Sequence, residues 1–427
     1  MKVFKFGGAS VKDANAVRNI SVILKNYTED LVVVISAMGK TTNAFEKVLN
    51  AWLLGEKDSM EEALKGIRDY HLNIVRELIE DRNHAVYEEL ENIFAGIEKR
   101  LKNSPEASYN QEYDQLVSLG EIISTIIVSN YLNYTGINNQ WKDARQFLKT
   151  DSNFREGRVD WDISDRLIKE RFDFKNVHLY ITQGFIGSTV NNRTTTLGRE
   201  GSDYTAAILA YILNAESVTV WKDVPGVLNA DPKWFDDTIK LEKISYLDAI
   251  ELTYYGTSVI HPKTIQPLKN KGIPLYVKSF LHPVDPGTVI GDVSYEKLIP
   301  SFIFKMDQVL IHIHPVDFSF IAEDNLEKIF RCFAGYGLKI NLMQNSAVSF
   351  DVCVNNDMSR IPLVLADLEK EFRVSSTPGL ELITIRYYDD NTIKRVLVNK
   401  DLLLSQCTKS TIQMVVRDLG IQVSPGT

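Results

Sequence analysis

The chain has 427 residues, more than one hydrophobic core usually serves, so two or more domains are expected. Hydrophobic residues make up 44% and charged residues 24%, and 48 Lys and Arg against 56 Asp and Glu leave a net charge of -8. That balance supplies no broad cationic surface for nucleic acid, and no window approaches a membrane-spanning run of uncharged apolar residues. The N-terminus also lacks the apolar stretch of a signal peptide, so a cytoplasmic protein without nucleic-acid or membrane partners is expected. Cys332, Cys353 and Cys407 are far apart, in no metal-ligand spacing, and read as buried free thiols.

Residues 3–6 read as a short strand ending at Gly7-Gly8, followed by a helix with Val17, Ile20 and Leu24 on one face. Residues 31–35 form an unbroken apolar run of the kind found in central parallel strands covered on both faces. Strand, glycine turn, helix, strand is the rhythm of an α/β domain. From about 44 to 133 the chain reads as almost wholly helical, a layer over the sheet. Within it Glu121 is the odd polar residue among Leu116, Val117, Leu119, Ile122 and Ile123.

Strands return at 177–182, 217–221 and 273–277, and the first two end at polar or glycine-rich turns. Open α/β sheets bind ligands at the carboxyl ends of their strands, where these clusters fall. Near Val284-Asp285-Pro286-Gly287 the rhythm changes, which marks a domain boundary. Short alternating strands follow at 302–304, 309–313 and 348–352. A helix within 318–336 carries Leu326, Ile329, Phe330 and Phe333 on one side. A similar order recurs through 382–386, 393–397 and 412–416, which makes two small α+β units.

Five places could carry chemistry. Lys5-Phe6-Gly7-Gly8-Ala9-Ser10 is either an ordinary strand-end turn or a phosphate cradle, with backbone amides, a helix start and a lysine converging on anionic oxygens. In Gly198-Arg199-Glu200-Gly201-Ser202-Asp203, Asp203 either caps a helix or orients Lys5 or a nucleotide-bound Mg²⁺. Arg199 there is either solvated or a planar fork for a carboxylate. Ser36 and Thr42 lie in the loop leaving a buried strand, where hydroxyls cap a helix or bind substrate. Glu121 is either a paired helix carboxylate or the partner of an ammonium, since a buried unpaired charge is costly. Asp231-Pro232-Lys233 is a plain turn or brings Lys233 to phosphates.

The segments Lys5-Phe6-Gly7-Gly8-Ala9-Ser10-Val11, Ser36-Ala37-Met38-Gly39-Lys40-Thr41-Thr42-Asn43 and Gly120-Glu121 do not stand alone. The run from Thr195 to Ala207, Trp221-Lys222-Asp223-Val224-Pro225-Gly226-Val227, Asp231-Pro232-Lys233 and His261-Pro262 complete the set. Together they resemble the aspartokinase family, within the amino-acid kinase fold, from one end of the chain to the other. The resemblance implies an α/β catalytic domain over 1–290, with a mostly parallel sheet between helical layers. It implies a regulatory region over 300–427 of two α+β, ferredoxin-like ACT units. The first would span about 308–375, and the second 300–307 plus 380–427.

The implied reaction is ATP plus L-aspartate giving ADP plus 4-phospho-L-aspartate, with Mg²⁺ on the nucleotide and feedback by lysine or threonine. Lys5 and Asp203 would act at the phosphoryl group, and Ser36, Thr42, Glu121 and Arg199 would hold aspartate. Lys5, Gly7, Gly8, Lys222, Asp223, Lys233 and Ser258 would face ATP. Phe320, Ile321, Asn341, Asn345 and Ser346 would hold the effector, in a homodimer or dimer of dimers joined through the ACT-like units. Ala9, Lys222 and Ser258 depart from the family pattern, which bears on ATP affinity and rate more than on reaction type. The alternatives are a kinase for another small acidic metabolite and a weakly catalytic amino-acid sensor.

Overall fold

The computed structural model describes residues 1–105, 107–256, 260–295, 298–317 and 319–420. The chain divides into two compact units. The first comprises Met1–Val227, Lys240–Ile250 and Val259–Ser294, and the second Leu228–Ile239, Glu251–Ser258 and Tyr295–Thr427.

In chain order the first stretch runs β1 (Lys2–Phe6), α1 (Ala14–Leu24), β2 (Leu31–Ile35), α2 (Thr41–Leu54), α3 (Lys57–Leu78) and α4 (Ala85–Leu101). It continues with α5 (Tyr109–Val117), α6 (Leu119–Tyr134), β3 (Gln140–Lys142), α7 (Trp161–Arg171), β4 (Leu179–Gln183), β5 (Ile186–Ser188) and β6 (Thr194–Thr196). Next come α8 (Gly201–Leu213), β7 (Ser217–Lys222), β8 (Val227–Leu228), β9 (Lys240–Leu241), β10 (Lys243–Ser245) and α9 (Tyr246–Tyr255). Then α10 (Pro262–Lys271), β11 (Leu275–Ser279) and β12 (Thr288–Gly291) close the series.

Eight strands form one sheet in the order β10-β12-β11-β7-β1-β2-β4-β3, parallel throughout except for the β11–β12 pair. Its centre is apolar on both faces, which is why β2 and β4 are buried at every position. Side chains alternate along a strand. Phe4 and Phe6 therefore join the core shared with the α1–α6 helices, while Lys5 takes the other face, where α8 packs on β1. α5 and α6 run almost end to end over Tyr109–Tyr134, apolar enough by composition to match a membrane span. Because 78% of its most apolar 18-residue stretch is buried inside the protein, the pair belongs to the core layer of this unit.

At Gly184, just past β4, the first turn of α8 packs tightly on the chain. A Cβ there would stand 2.5 Å from the Ser202 Cβ, in the first turn of α8. Gly184→Ala is expected to cost about 1–3 kcal/mol by overpacking, read as a lowered urea midpoint with an unchanged slope.

The second unit is built on a six-stranded antiparallel sheet. Its elements are β13 (Ser301–Pro315), α11 (Glu323–Gly335), β14 (Ile340–Asn345), β15 (Phe350–Asn355), α12 (Ile361–Leu368), β16 (Phe372–Arg386), α13 (Asp390–Val396), β17 (Lys400–Cys407) and β18 (Thr411–Asp418). The strand order is β14-β15-β13-β16-β18-β17. The two short strands expected at 302–304 and 309–313 are one 15-residue strand. A register shift between Lys305 and Gln308, with Asp307 at φ 52, hides the continuity from the alternation pattern.

The carboxyl half of β13 and the amino half of β16 enclose one core with α11 and α12, around Ile311, Ile329, Phe333 and Val352. Their other halves enclose a second core around Phe302, Ile383, Ile385 and Met414. Residues 228–239 feed this second core: Phe235 packs on Phe302 with ring centroids 4.9 Å apart. The cysteines are unpaired, but only Cys353 is buried; Cys407 is exposed because β17 is an edge strand.

Candidate active site

A cavity of about 750 Å³ opens where the carboxyl ends of β1, β2, β4 and β7 meet the first turn of α8. Lys5 reaches it from β1, and its Nζ stands 2.6 Å from Asp203 Oδ1. Both residues are largely buried, at 9% and 3% exposure. Asp203 does not cap its helix, because the N-cap position belongs to Glu200. The contact has ion-pair distance but lies off the direction of a hydrogen bond, leaving Asp203 Oδ1 without a hydrogen-bond partner.

The two loops above β1 and β2 interlock at Gly8. A Cβ there would stand 2.9 Å from the carbonyl oxygens of both Ala37 and Gly39. The Gly39 amide donates to the Gly8 carbonyl at 3.0 Å. Glycine is thus required for the packing of the two loops. Ser36 and Thr42, on the second loop and the start of α2, also line the cavity, and Thr42 does not cap α2.

Glu121 on α6 lines the cavity at 3% exposure. Its Oε1 accepts the Ala37 amide at 3.4 Å, and its Oε2 has no partner. Burial pushes this carboxyl up to about 8, against the smaller opposing pull of backbone hydrogen bonds. Lys222, one residue beyond Trp221, shares the face of Lys5. Burial pulls its ammonium below the usual lysine range, with Asp203 opposing.

Lys5, Gly8, Ser36, Thr42, Glu121, Arg199, Asp203 and Lys222 therefore meet around one cavity. Gly7 stands beside it, where a Cβ would lie 3.5 Å from Lys5 Nζ. Asp223 is exposed and does not line the cavity. Lys233 is exposed in the second unit, and its amide closes a turn on Asp231 Oδ1 at 2.9 Å. Ser258 lies outside the described residues. Among the described residues no cluster of three or more His, Cys, Asp or Glu could hold a metal ion.

Tyr113, Asp114 and Arg155 are among the lining or supporting residues that no sequence motif marks. Asp114 is fully buried; its Oδ2 accepts the amides of Arg155 and Thr196, each at 2.9 Å, and its Oδ1 accepts the Thr196 hydroxyl at 2.7 Å. Burial pushes it up to about 6, those hydrogen bonds opposing. One signal existed: Asp114 lies seven residues before Glu121, two turns along the same helical face.

In the second unit Ile321 donates its amide to the Ala347 carbonyl, which brings Phe320 and Ile321 to Asn345 and Ser346. Phe320 is 70% exposed and Ser346 bonds Ser349. Asn341 stands at the other end of β14, engaged with Lys305, Gln308 and Asn355.

A glycine-lined loop beside a buried lysine–carboxylate pair, with a glutamate that keeps one oxygen unpartnered in the cavity, defines a small-molecule phosphotransferase site. A model of the amino acid kinase family matches residues 1–279. The lysine-sensitive aspartokinase 3 of Escherichia coli (strain K12) is 30% identical over 398 residues, covering 90% of this chain and 86% of that protein. The crystal structure of E. coli aspartokinase III in complex with lysine and aspartate, T-state, superposes with a TM-score of 0.83 at 28% identity. It covers 98% of this chain and 96% of that one. The R-state of the same protein, with aspartate and ADP, gives 0.81 at 27% identity over the same shares. The chain belongs to the aspartokinase branch of the amino acid kinase family.

Proposed function

We propose that the chain transfers the γ-phosphoryl group of ATP to the side-chain carboxylate of L-aspartate, giving 4-phospho-L-aspartate and ADP, under feedback by an amino acid. The observation that carries the substrate is Glu121. A buried carboxylate with one free oxygen is a costly feature unless a cation comes to it, and the α-ammonium of an amino acid is such a cation. Arg199 complements it as a fork for the α-carboxylate, with Ser36 and Thr42 closing the pocket.

The acceptor carboxylate is ionised at neutral pH, so no general base is needed. Its oxygen forms the new bond to phosphorus as the bond to the β-phosphate oxygen breaks, and ADP leaves. Two anions must be aligned and their repulsion suppressed. Lys5 holds charge against the transferring group, Asp203 keeps that ammonium in place, and Lys222 adds a second cation from the same face. Glu200 Oε2, buried without a hydrogen-bond partner, would be the oxygen open to a nucleotide-bound Mg²⁺, which would neutralise phosphate charge. Gly7 and Gly8 would cradle phosphates, with Asp223, Lys233 and Ser258 assigned to the nucleotide by family resemblance alone.

Lysine is the favoured effector, since the E. coli relative is lysine-sensitive and binds lysine in its T-state structure. The segment around Phe320, Ile321, Asn345 and Ser346 is the assigned site, with Asn341 the weakest member because its amide is already engaged. Pairing of ACT-like units into a homodimer or dimer of dimers, and a cytoplasmic setting, complete the proposal.

A steady-state ADP assay tests it. Aspartate is expected to support turnover at least roughly tenfold better than glutamate or N-acetylglutamate, with lysine inhibiting more strongly than threonine or methionine. Preference for glutamate would mean another acidic metabolite, and no ADP with any acceptor would mean a sensor.

A further inference from the structure

Arg155 brings a second guanidinium to the cavity that Arg199 lines. Its backbone lies at φ 70, a conformation that non-glycine residues rarely adopt, so the loop around it must be held in place. Asp114 does this by accepting the Arg155 amide on the same carboxylate that holds Thr196 of β6. The Gly157 amide adds a bond to the Thr196 carbonyl at 2.8 Å. The loop also closes on itself, with the Arg158 amide on Asp151 Oδ1 at 2.9 Å and Asn153 on the Glu156 carbonyl at 3.1 Å.

The side chain, although exposed, has a partner of its own. The guanidinium lies over the Tyr113 ring, 4.4 Å from its centroid, and the Tyr113 hydroxyl is tied to Glu46 at 2.9 Å. It makes no ion pair among the described residues. A stacked guanidinium keeps its planar donors free at the edge, ready for a carboxylate, and loses little freedom on binding one.

Two neighbours fix which end of the cavity it serves. Tyr113 is on α5, which leads directly into the helix carrying Glu121. The Arg155 carbonyl approaches Gly198, where a Cβ would stand 3.3 Å away, one residue before Arg199. Both contacts belong to the amino-acid end, not to the Gly7-Gly8 loop.

We infer that Arg155 is a second carboxylate-binding, specificity-determining residue, holding the α-carboxylate of aspartate together with Arg199, and that Asp114 is its positioning residue. This rests on the aspartate kinase reading above. In the bound state Glu121 would answer the ammonium and two arginines the carboxylate, so the site reads the α-carbon substituents before phosphoryl transfer begins.

The test uses the purified full chain as wild type, Arg155→Ala, Arg155→Lys, Asp114→Asn and the Arg155→Ala/Asp114→Asn double variant. Aspartate is the acceptor, and its α-carboxamide, which keeps the side-chain carboxylate, is scored as an inhibitor against it. Arg155→Ala is expected to raise the aspartate KM roughly tenfold or more, with kcat within about threefold and the ATP KM within about twofold. The inhibition constant of the α-carboxamide should stay within about twofold of wild type, and Arg155→Lys should recover part of the loss. The double variant should show no higher aspartate KM than Arg155→Ala alone.

An unchanged aspartate KM in Arg155→Ala, or an equal loss for the α-carboxamide, overturns the role of Arg155. Additive effects in the double variant overturn that of Asp114. Failure of the wild type to form ADP from aspartate would instead sink the underlying activity.

Discussion

Lys5→Ala is expected to lower kcat roughly 10²- to 10³-fold, while the aspartate KM moves by about threefold or less. The asymmetry follows from where Lys5 stands. Its ammonium is held by Asp203 at 2.6 Å on the sheet face that carries Lys222, and Glu121 reaches the cavity from a different helix. It therefore meets charge that grows on the phosphoryl oxygens as the reaction proceeds, and contributes little to holding the amino acid beforehand. Removing it also strands Asp203 as a buried carboxylate, so a lower melting temperature should accompany the rate loss. A coupled ADP assay on Lys5→Ala and Lys5→Met, with thermal melts alongside, separates the two effects. A near-normal rate in either variant would remove Lys5 from the chemistry.

The second large effect is a pH dependence carried by Glu121. Its carboxyl is pushed up to about 8 by burial, so below that pH the free enzyme presents a neutral acid to the incoming ammonium. kcat/KM for aspartate is expected to fall about tenfold per pH unit below 8, while kcat at saturating aspartate holds to lower pH. The bound ammonium accounts for the difference, because it favours the ionised form. Stability runs the other way. Between 4.5, the ordinary value, and about 8 the folded protein keeps a proton that the unfolded chain has released. Folding is therefore weakened as pH rises through that window.

Glu121→Gln should remove the kcat/KM limb and raise the aspartate KM by roughly 10²-fold. At pH about 8.5 this variant should melt no lower than the wild type, because a neutral amide leaves no charge to bury at that position. A flat kcat/KM profile between about pH 6 and 8.5 would end the assignment of Glu121 to the ammonium.

The parts of this protein most legible in its sequence are those fixed by local chemistry. β2 is an unbroken apolar run because it is covered on both faces, and Glu121 stands out as the one charged residue among Leu116, Val117, Leu119, Ile122 and Ile123. Lys5, Arg199 and Asp203 could be placed in one site because each belongs to a compact motif, though only the fold shows Lys5 and Asp203 in contact. Asp114 and Arg155 were invisible for the opposite reason. Their relation joins a helix to a loop 41 residues on, through backbone amides that carry no side-chain signature.

Cys407 is exposed, against the expectation of a buried thiol, because it lies on an edge strand among the polar residues Ser405, Gln406, Thr408 and Lys409. The contribution of residues 228–239 to the second unit was equally hidden, since their aromatic partner, Phe302, lies some seventy residues further along.

β13 and β16 each serve both halves of the six-stranded sheet, as strands of 15 residues and so about 50 Å long. The two ACT-like halves therefore have no linker between them, and each would lose two strands if the other melted. In thermodynamic terms they are expected to behave as one cooperative unit, melting in a single transition. The turn around Ser346 is thus joined to the strands that hold the second core through one sheet, whose pairing is interrupted by the register shifts near Gln308 and Ile340.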